Sequence, residues 1–272
     1  MKRSLFFAAA ALALVAAPAF AADLPVKARP AAVAAVYNWT GWYVGGNIGY
    51  GWGGDTGGLW DSFVDTTPLA VGFGPYFAAG GNVLPGTRPS GVIGGAQVGY
   101  NWQLQSNLVF GVVADLQGSD MHDSASVTVN PNGAITVQTN SSRIDWFGTV
   151  RGRAGFAANN WLFYGTGGVA YGNVKSNLTF TCTTCGVLAY AGSNSSTQVG
   201  WTAGAGIEVG LSPNWTAGVE YLHFDLGSIL TTALPVGTTT PATSISANSK
   251  FTGDIVRATL NYRFSSAIVA KY

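Results

Sequence analysis

Strand-like segments in this chain are separated by gaps that alternate between long and short. The segments lie at residues 41–52, 91–102, 108–118, 142–156, 161–174, 198–211, 216–227 and 251–264. Long polar stretches follow every odd-numbered segment, at 53–90, 119–141, 175–197 and 228–250. Tight connections follow the second, fourth and sixth segments, at 103–107, 157–160 and 212–215. Transmembrane barrels have this layout, with long external loops and short periplasmic turns. The gaps therefore predict an all-β fold, a closed antiparallel up-and-down transmembrane β-barrel of about eight strands.

The N-terminus has the features of a secretory signal peptide. Lys2 and Arg3 form a positive start, residues 5–17 are an apolar run, and Ala19-Phe20-Ala21 fits the small-residue pattern of a cleavage site. The apolar run falls short of the roughly 20 residues that a membrane-spanning helix needs. We therefore predict a signal peptide at 1–21, a periplasmic N-terminal tether at 22–40, a barrel domain at 41–264 and a C-terminal extension at 265–272. Within the tether, the Pro- and Ala-rich residues 23–36 are expected to be poorly ordered.

The composition favours a wall that faces lipid. Charged residues make up 9% of the chain, against about 25% in typical soluble domains. Aromatic residues reach 12%, and such a surface on a soluble protein of this size would aggregate. The 13 Lys and Arg residues nearly balance 12 Asp and Glu residues. Because this balance lacks the basic excess of nucleic-acid-binding proteins, nucleic acid is excluded as an expected partner.

The predicted strands alternate apolar and polar residues, which gives each strand one apolar face. The last strand shows this most clearly. One face carries Val256, Ala258, Leu260, Tyr262 and Phe264, and the other carries Arg257, Thr259, Asn261 and Arg263. The apolar face is expected to contact lipid, and the polar face is expected to point into the barrel.

Aromatic residues cluster at both ends of the predicted strands, as in the girdles that lie at membrane interfaces. Near the short turns lie, among others, Trp42, Trp102, Trp161, Trp215, Tyr262 and Phe264. Towards the long gaps lie Tyr50, Trp52, Trp146, Tyr171, Trp201 and Phe251. Aromatic packing inside a soluble sandwich is the competing explanation, but it does not account for clustering at both strand ends.

Several strand motifs resemble those of a known family. They are residues 37–47 (YNWTGWYVGGN), 150–155 (VRGRAG), 204–208 (GAGIE), 219–222 (VEYL) and 260–264 (LNYRF). Together they resemble the small outer-membrane barrels of alphaproteobacteria, which are porin-like, OmpA-type surface antigens. The resemblance implies eight strands and an outer-membrane location, and a barrel of this layout is expected to have both termini in the periplasm. The assembly signal would then be the internal Phe264 or the terminal Tyr272.

Charged residues of both signs fall near the middle of the predicted strands, on faces that point inwards. They are Asp115, Arg151, Arg153, Glu208, Glu220 and Arg257. The interior of a barrel of about eight strands is just wide enough to be filled by side chains, so these residues should meet. Since an unpaired buried charge is very unfavourable, we predict an ion-pair network in the lumen. The network is expected to hold the lumen shut; a gate that rearranges to pass ions is the alternative.

Two further motifs have a chemical interpretation. Cys182 and Cys185 have the spacing of a redox motif, but they lie in a polar gap without a βαβ context, so a local loop disulfide is expected. His122 lies beside Asp120 and Asp123, which is a minimal set of groups for a hydrolase. Sequence neighbours seldom form a catalytic triad, so a solvated position is favoured for His122.

These observations predict a structural, surface-exposed outer-membrane protein that contributes to envelope integrity and has at most a narrow pore. A porin for small solutes is the first alternative, and an outer-membrane hydrolase is the second. We expect no catalytic, cofactor-binding or metal-binding residues. The expected partners are outer-membrane lipid and lipopolysaccharide, the barrel-assembly machinery, and a surface ligand contacted through the long loops.

Overall fold

The computed structural model describes residues 37–60, 62–65, 83–105, 107–130, 133, 135–184, 188–237 and 243–264. The predicted signal peptide, residues 22–36 of the tether and the extension at 265–272 lie outside these ranges. The strands are β1 (Gly41–Gly53), β2 (Gly58–Leu59), β3 (Ser62–Asp65), β4 (Val83–Leu84), β5 (Ser90–Gln103), β6 (Leu108–Val129), β7 (Thr136–Ala158), β8 (Trp161–Cys182), β9 (Leu188–Gly210), β10 (Trp215–Pro235) and β11 (Thr243–Phe264). No helix in the described ranges is long and apolar enough to cross a membrane.

The long strands form a closed antiparallel ring. Their order is β1-β5-β6-β7-β8-β9-β10-β11, and β1 pairs with β11 to complete the circle. That last ladder runs from Trp42 opposite Phe264 to Gly53 opposite Gly253. Because the ring closes, the main chain at this level has partners on both sides of every long strand. The predicted eight-stranded antiparallel barrel is confirmed.

Six strands are much longer than the sequence predicted. Strands β6 to β11 contain 21 to 23 residues each, whereas about 9–11 residues suffice to cross a membrane. The polar stretches 119–141, 175–197 and 228–250 were predicted as loops, and this prediction is wrong because most of their residues lie in strands. On β8, Asn177 and Thr179 are exposed, while the alternate residues Leu178 and Phe180 are fully buried.

Bulges divide three of the long strands at similar levels. The register shifts between Gly118 and Met121 in β6, between Ile144 and Trp146 in β7, and between Asp225 and Ser228 in β10. Bulges change which face successive side chains occupy. We call the part of the barrel on the short-turn side of these bulges the spanning half, and the part beyond them the protruding half.

The outer wall of the spanning half is apolar. The six aromatic residues predicted near the short turns point outwards, with 38–59% of their surface exposed in the absence of lipid; they are Trp42, Trp102, Trp161, Trp215, Tyr262 and Phe264. Phe251 was predicted on the outer girdle, and this prediction is wrong because Phe251 is 1% exposed and lies inside the barrel. Because side chains alternate between the two faces of a strand, the outward position of Val256 places Phe251, an odd number of residues away, on the inward face.

We expect the protruding half to behave as strand in solution. Amides of residues 175–181 in β8 should exchange slowly with solvent deuterium, because β8 is paired with both β7 and β9 there. Asn159, in the turn between β7 and β8, serves as the fast-exchanging reference. Exchange of residues 175–181 at the rate of Asn159, measured by NMR on the refolded protein, would restore the loop interpretation.

Candidate functional site: the filled lumen

The six predicted inward charges lie inside the spanning half and contact one another. Their side chains are at most 5% exposed. They come from β6, β7, β9, β10 and β11, so the ring brings together residues up to 142 positions apart in sequence. Three arginines face three carboxylates, and the formal charge of the group is zero.

Two arginines share two carboxylates at the centre of this group. Arg151 contacts the Asp115 carboxylate at 3.0 Å and the Glu220 carboxylate at 2.8 Å. Arg257 contacts the same two carboxylates, at 2.9 Å and 2.6 Å. Thr149 donates to Asp115 at 2.8 Å and accepts from the Arg151 Nε at 2.8 Å. Each charge is therefore compensated by two opposite charges, which is the condition for burying it in a medium of low polarity.

The third arginine forms a second group on the short-turn side. Arg153 donates to Glu208 at 2.8 Å, and its guanidinium lies 4.3 Å from the centre of the Tyr164 ring. Tyr43 accepts from the Arg153 Nη1 at 3.2 Å. The Tyr164 hydroxyl donates to Glu220 at 3.3 Å, which links the two groups. All six charges thus belong to one network, in which the contact of Arg153 with the Tyr164 ring and the hydrogen bond from Tyr164 to Glu220 join the two groups.

Glycines on neighbouring strands make room for the large side chains of this network. A Cβ atom on Gly206 would lie 2.5 Å from the Tyr164 ring, and one on Gly99 would lie 2.3 Å from the Tyr43 hydroxyl. Such distances are shorter than any van der Waals contact between carbon and oxygen or carbon and carbon. The glycines of β5 and β9 are therefore part of the packing of the lumen.

Neutral polar residues complete the network, and of these only Asn261 was placed on an inward face by the alternation of its strand. Asn261 donates to Glu208 at 3.1 Å and accepts from Gln97 at 2.6 Å, and Thr216 also donates to Glu208. Gln117 donates to Asp115 at 3.0 Å. Their inward position follows from strand alternation, which is the signal that could have found them.

The short-turn end of the lumen is closed by the last residues of the predicted tether. Trp39 is fully buried, in an apolar cluster with Val109, Ala157, Leu162 and Tyr164. The Arg263 guanidinium donates to the carbonyl oxygens of Asn38 and Thr40. The tether prediction for 22–40 is therefore wrong at its end, because residues 37–40 are docked against the barrel.

An apolar layer lies on the other side of the charges. It contains Ile93, Met121, Ile144, Phe147, Ala170, Val174, Leu222, Phe224, Leu226, Ile229, Phe251 and Ile255. This layer was not predicted from the sequence, because the inward face was expected to be polar along the whole barrel. The signal was present in residues 222–226, where Leu222, Phe224 and Leu226 alternate with the outward His223 and Asp225.

Residues from the long connection between β1 and β5 close the protruding half. The Trp60 indole donates to Gln138 at 2.5 Å, and Thr87 is hydrogen-bonded to Ser142 at 2.6 Å. The amide of Asn140 donates to the carbonyl of Pro85 at 3.0 Å. Around Trp60 and Leu84 lies a third apolar cluster that includes Leu178, Phe180, Tyr190, Ala233, Ile245 and Ala247. The lumen thus contains four successive layers of side chains.

Charged side chains, here called the belt, lie on the outside of the barrel at the level of the bulges, on β7 and β8 and on β10 and β11. Asp145 contacts Arg143 at 2.6 Å and Lys175 at 2.5 Å. The hydrogen bond from Lys175 holds the pKa of the Asp145 carboxyl below its ordinary value. Alternation from the inward Arg151 and Arg153 would place Asp145 inside, but the bulge in β7 turns it outwards. The belt lies where the apolar outer wall of the spanning half ends.

Two other predicted positions lie apart from the lumen network. Cys182, at the end of β8, is disulfide-bonded, and Cys185 lies outside the described residues. His122 is on the exposed face of β6, where its Nδ1 is 2.8 Å from the carbonyl oxygen of Asp120. Within the described ranges, no cluster of three or more His, Cys, Asp or Glu side chains is arranged to hold a metal ion.

Removing one arginine from the network should strongly destabilise the barrel. We expect Arg151→Ala to lower the free energy of unfolding by about 3–5 kcal/mol, because two buried carboxylates lose a partner. Arg143→Ala is the matched control; its ion pair is exposed, and such pairs contribute about 0–1 kcal/mol. Urea unfolding in lipid vesicles measures both. Equal stability of the two variants would contradict the assignment of Arg151 to a buried network.

Comparison with known proteins agrees with this architecture. A family model described as "Outer membrane protein beta-barrel domain" matches residues 7–264. The chain is 38% identical over 220 residues to the 31 kDa outer-membrane immunogenic protein of Brucella melitensis, covering 79% of this chain and 84% of that protein. It is 37% identical over 136 residues to the 22 kDa outer membrane protein of Rhizobium leguminosarum, covering 49% of this chain and 53% of that protein.

Solved structures give a weaker likeness. The outer membrane protein OprG from Pseudomonas aeruginosa aligns with a TM-score of 0.44 at 12% identity, covering 84% of this chain and 98% of that one. The predicted outer-membrane location and the resemblance to alphaproteobacterial barrels are confirmed by the sequence relatives. The chain belongs to the outer-membrane β-barrel family, and its relatives include proteins named as outer-membrane immunogenic proteins.

Proposed function

We propose that this protein is a structural, surface-exposed barrel of the outer membrane whose lumen is sealed. The observation that carries the proposal is the succession of four side-chain layers through the barrel. Trp39 lies in the first layer, the neutral ion-pair network forms the second, Phe224 lies in the third and Trp60 lies in the fourth. An ion crossing this lumen would have to displace both apolar and charged layers, and the apolar layers offer it no polar ligands.

Contribution to envelope integrity follows from the same arrangement. A barrel packed throughout its interior is a rigid body, since close-packed interiors resist deformation. Its apolar wall and charged belt would anchor it in lipid and among the lipopolysaccharide headgroups. Passage of solutes, the function of a porin, would instead require the layers to move apart.

A non-enzymatic role is part of the proposal. The hydrolase alternative depends on His122 activating a nucleophile. Among the described residues, the hydroxyl of the nearby Ser124 is hydrogen-bonded to Ser141 at 2.8 Å, and the His122 ring is hydrogen-bonded to the main chain of Asp120. This arrangement supports a solvated surface position for His122.

The sealed lumen predicts little or no ionic current. Refolded protein incorporated into a planar lipid bilayer should produce no stable conductance steps, because the layers leave no continuous aqueous path. A large-pore porin reconstituted in the same bilayer is the control that shows the measurement is sensitive. A stable, large, ion-selective conductance would overturn the proposal and make a porin the better description.

A further inference from the structure

One strand of the protruding half has an edge without a partner in the described part of the chain. Strand β5 begins at Ser90, which pairs with His122 of β6. Strand β6 continues to Val129, and within the described ranges Asp123–Val129 pairs only with β7, on its other side. The continuous ring of the spanning half is therefore interrupted above β5.

The direction of the main-chain groups at this edge follows from the pairing. Leu104 donates to the carbonyl of Leu108 across the turn between β5 and β6. The pairing of β5 with β6 keeps one register up to Ser90 opposite His122, so even-numbered residues of β6 point their N–H and C=O groups towards β5. From Met121 to Val129 the pairing with β7 also continues without a shift. Ser124, Ser126 and Thr128 consequently direct their main-chain groups towards the side where β5 has ended.

This edge lacks the usual protection against pairing. Natural proteins guard exposed edges with charged residues, prolines or bulges. Residues 124–129 read Ser-Ala-Ser-Val-Thr-Val, with neither charge nor proline, and β6 is regular over this range. Ser124, Ser126 and Thr128 are exposed, and their neighbours Ala125 and Val127 are half-buried.

We propose that the Ser124–Val129 edge of β6 binds an extended peptide segment of another protein by β-strand addition. Unpaired main-chain N–H and C=O groups recognise an extended main chain. The uncharged edge residues favour a segment with small, hydroxylated or β-branched side chains opposite them. The inference rests on one part of the proposed function, the exposure of the protein at the cell surface. It does not depend on the proposal that the lumen is sealed.

A second copy of this chain in the same membrane fits the edge less well. In both copies β6 would run away from the periplasm, so two β6 edges could pair only in the parallel sense. Parallel pairing is less stable per residue than antiparallel pairing. A free segment can approach antiparallel to β6, and it is the occupant that we favour.

Amide exchange gives the first test. In the free protein, the amides of Ser124, Ser126 and Thr128 should exchange fast, and those of Ala125 and Val127 should exchange slowly because they point towards β7. Slow exchange at all five positions would show that the edge is already covered, and the proposal would be overturned.

Peptide binding gives the second test. The probe is a labelled synthetic peptide with the sequence of Thr136–Ser142, which β7 already places antiparallel to Asp123–Val129. We expect binding to the refolded protein, measured by fluorescence anisotropy. Ser126→Pro removes one edge-facing N–H and should weaken binding by at least about tenfold, since the peptide carbonyl opposite it loses its donor.

Ser126→Ala is the matched control for that substitution. Both variants lose the hydrogen bond between the Ser126 and Thr139 hydroxyls, but Ser126→Ala keeps the N–H group and should bind as the wild type does. Slow exchange of Val127 in each variant would verify that pairing with β7 is intact. Absence of binding to the wild type, or equal binding by both variants, would contradict strand addition at this edge. The sealed lumen is tested separately, by the conductance of the unmodified protein in a planar bilayer. A failure of peptide binding would therefore leave the proposed sealed lumen standing.

Discussion

The pairing of β1 with β11 is the constraint on which the rest of the structure depends. In lipid, every main-chain polar group needs a partner within the protein, and a sheet meets this requirement only by closing. The ladder from Trp42–Phe264 to Gly53–Gly253 closes it. Closure with eight long strands fixes an interior that is narrow enough to be filled by side chains. Charged residues that alternation turns inwards must therefore find partners across the lumen.

The composition of the lumen follows from that narrow interior. Three arginines and three carboxylates cancel, and Thr149, Asn261 and Thr216 use further hydrogen-bonding capacity of the carboxylates and the guanidinium groups. Glycines such as Gly206 stand opposite the largest rings because a side chain there would collide with them. Compared with the spanning half, the arrangement is reversed beyond the bulges: the outer surface is mostly polar, and the apolar clusters lie inside, together with buried polar residues such as Gln138 and Asn140. This reversal has the pattern of a soluble β-protein, so the protruding half needs no lipid to bury its apolar side chains.

Much of this arrangement is readable in the sequence, and the errors have specific physical causes. Alternation from Val256 places Arg257 inside, and the same alternation would have placed Phe251 inside had it been carried through. Asp145 could not be assigned to the correct face, because a bulge is a local change of register that composition does not reveal. The protruding strands were taken for loops because Ser and Thr are common in both. The docking of Trp39 depends on Gln103 and Arg263, which are 64 and 224 residues away in sequence, and only the folded ring brings them together.

A double-mutant cycle on Arg153 and Glu208 tests most directly whether paired charges hold the lumen shut. The two side chains form a single ion pair at 2.8 Å, both almost fully buried. Free energies of unfolding would be measured in lipid vesicles for Arg153→Met, Glu208→Gln and the double variant. If the charges are paired in a closed interior, the double variant should lose less stability than the sum of the single losses, by about 1–3 kcal/mol. Losses that add within about 0.5 kcal/mol would mean that the two charges are independently solvated in an open lumen.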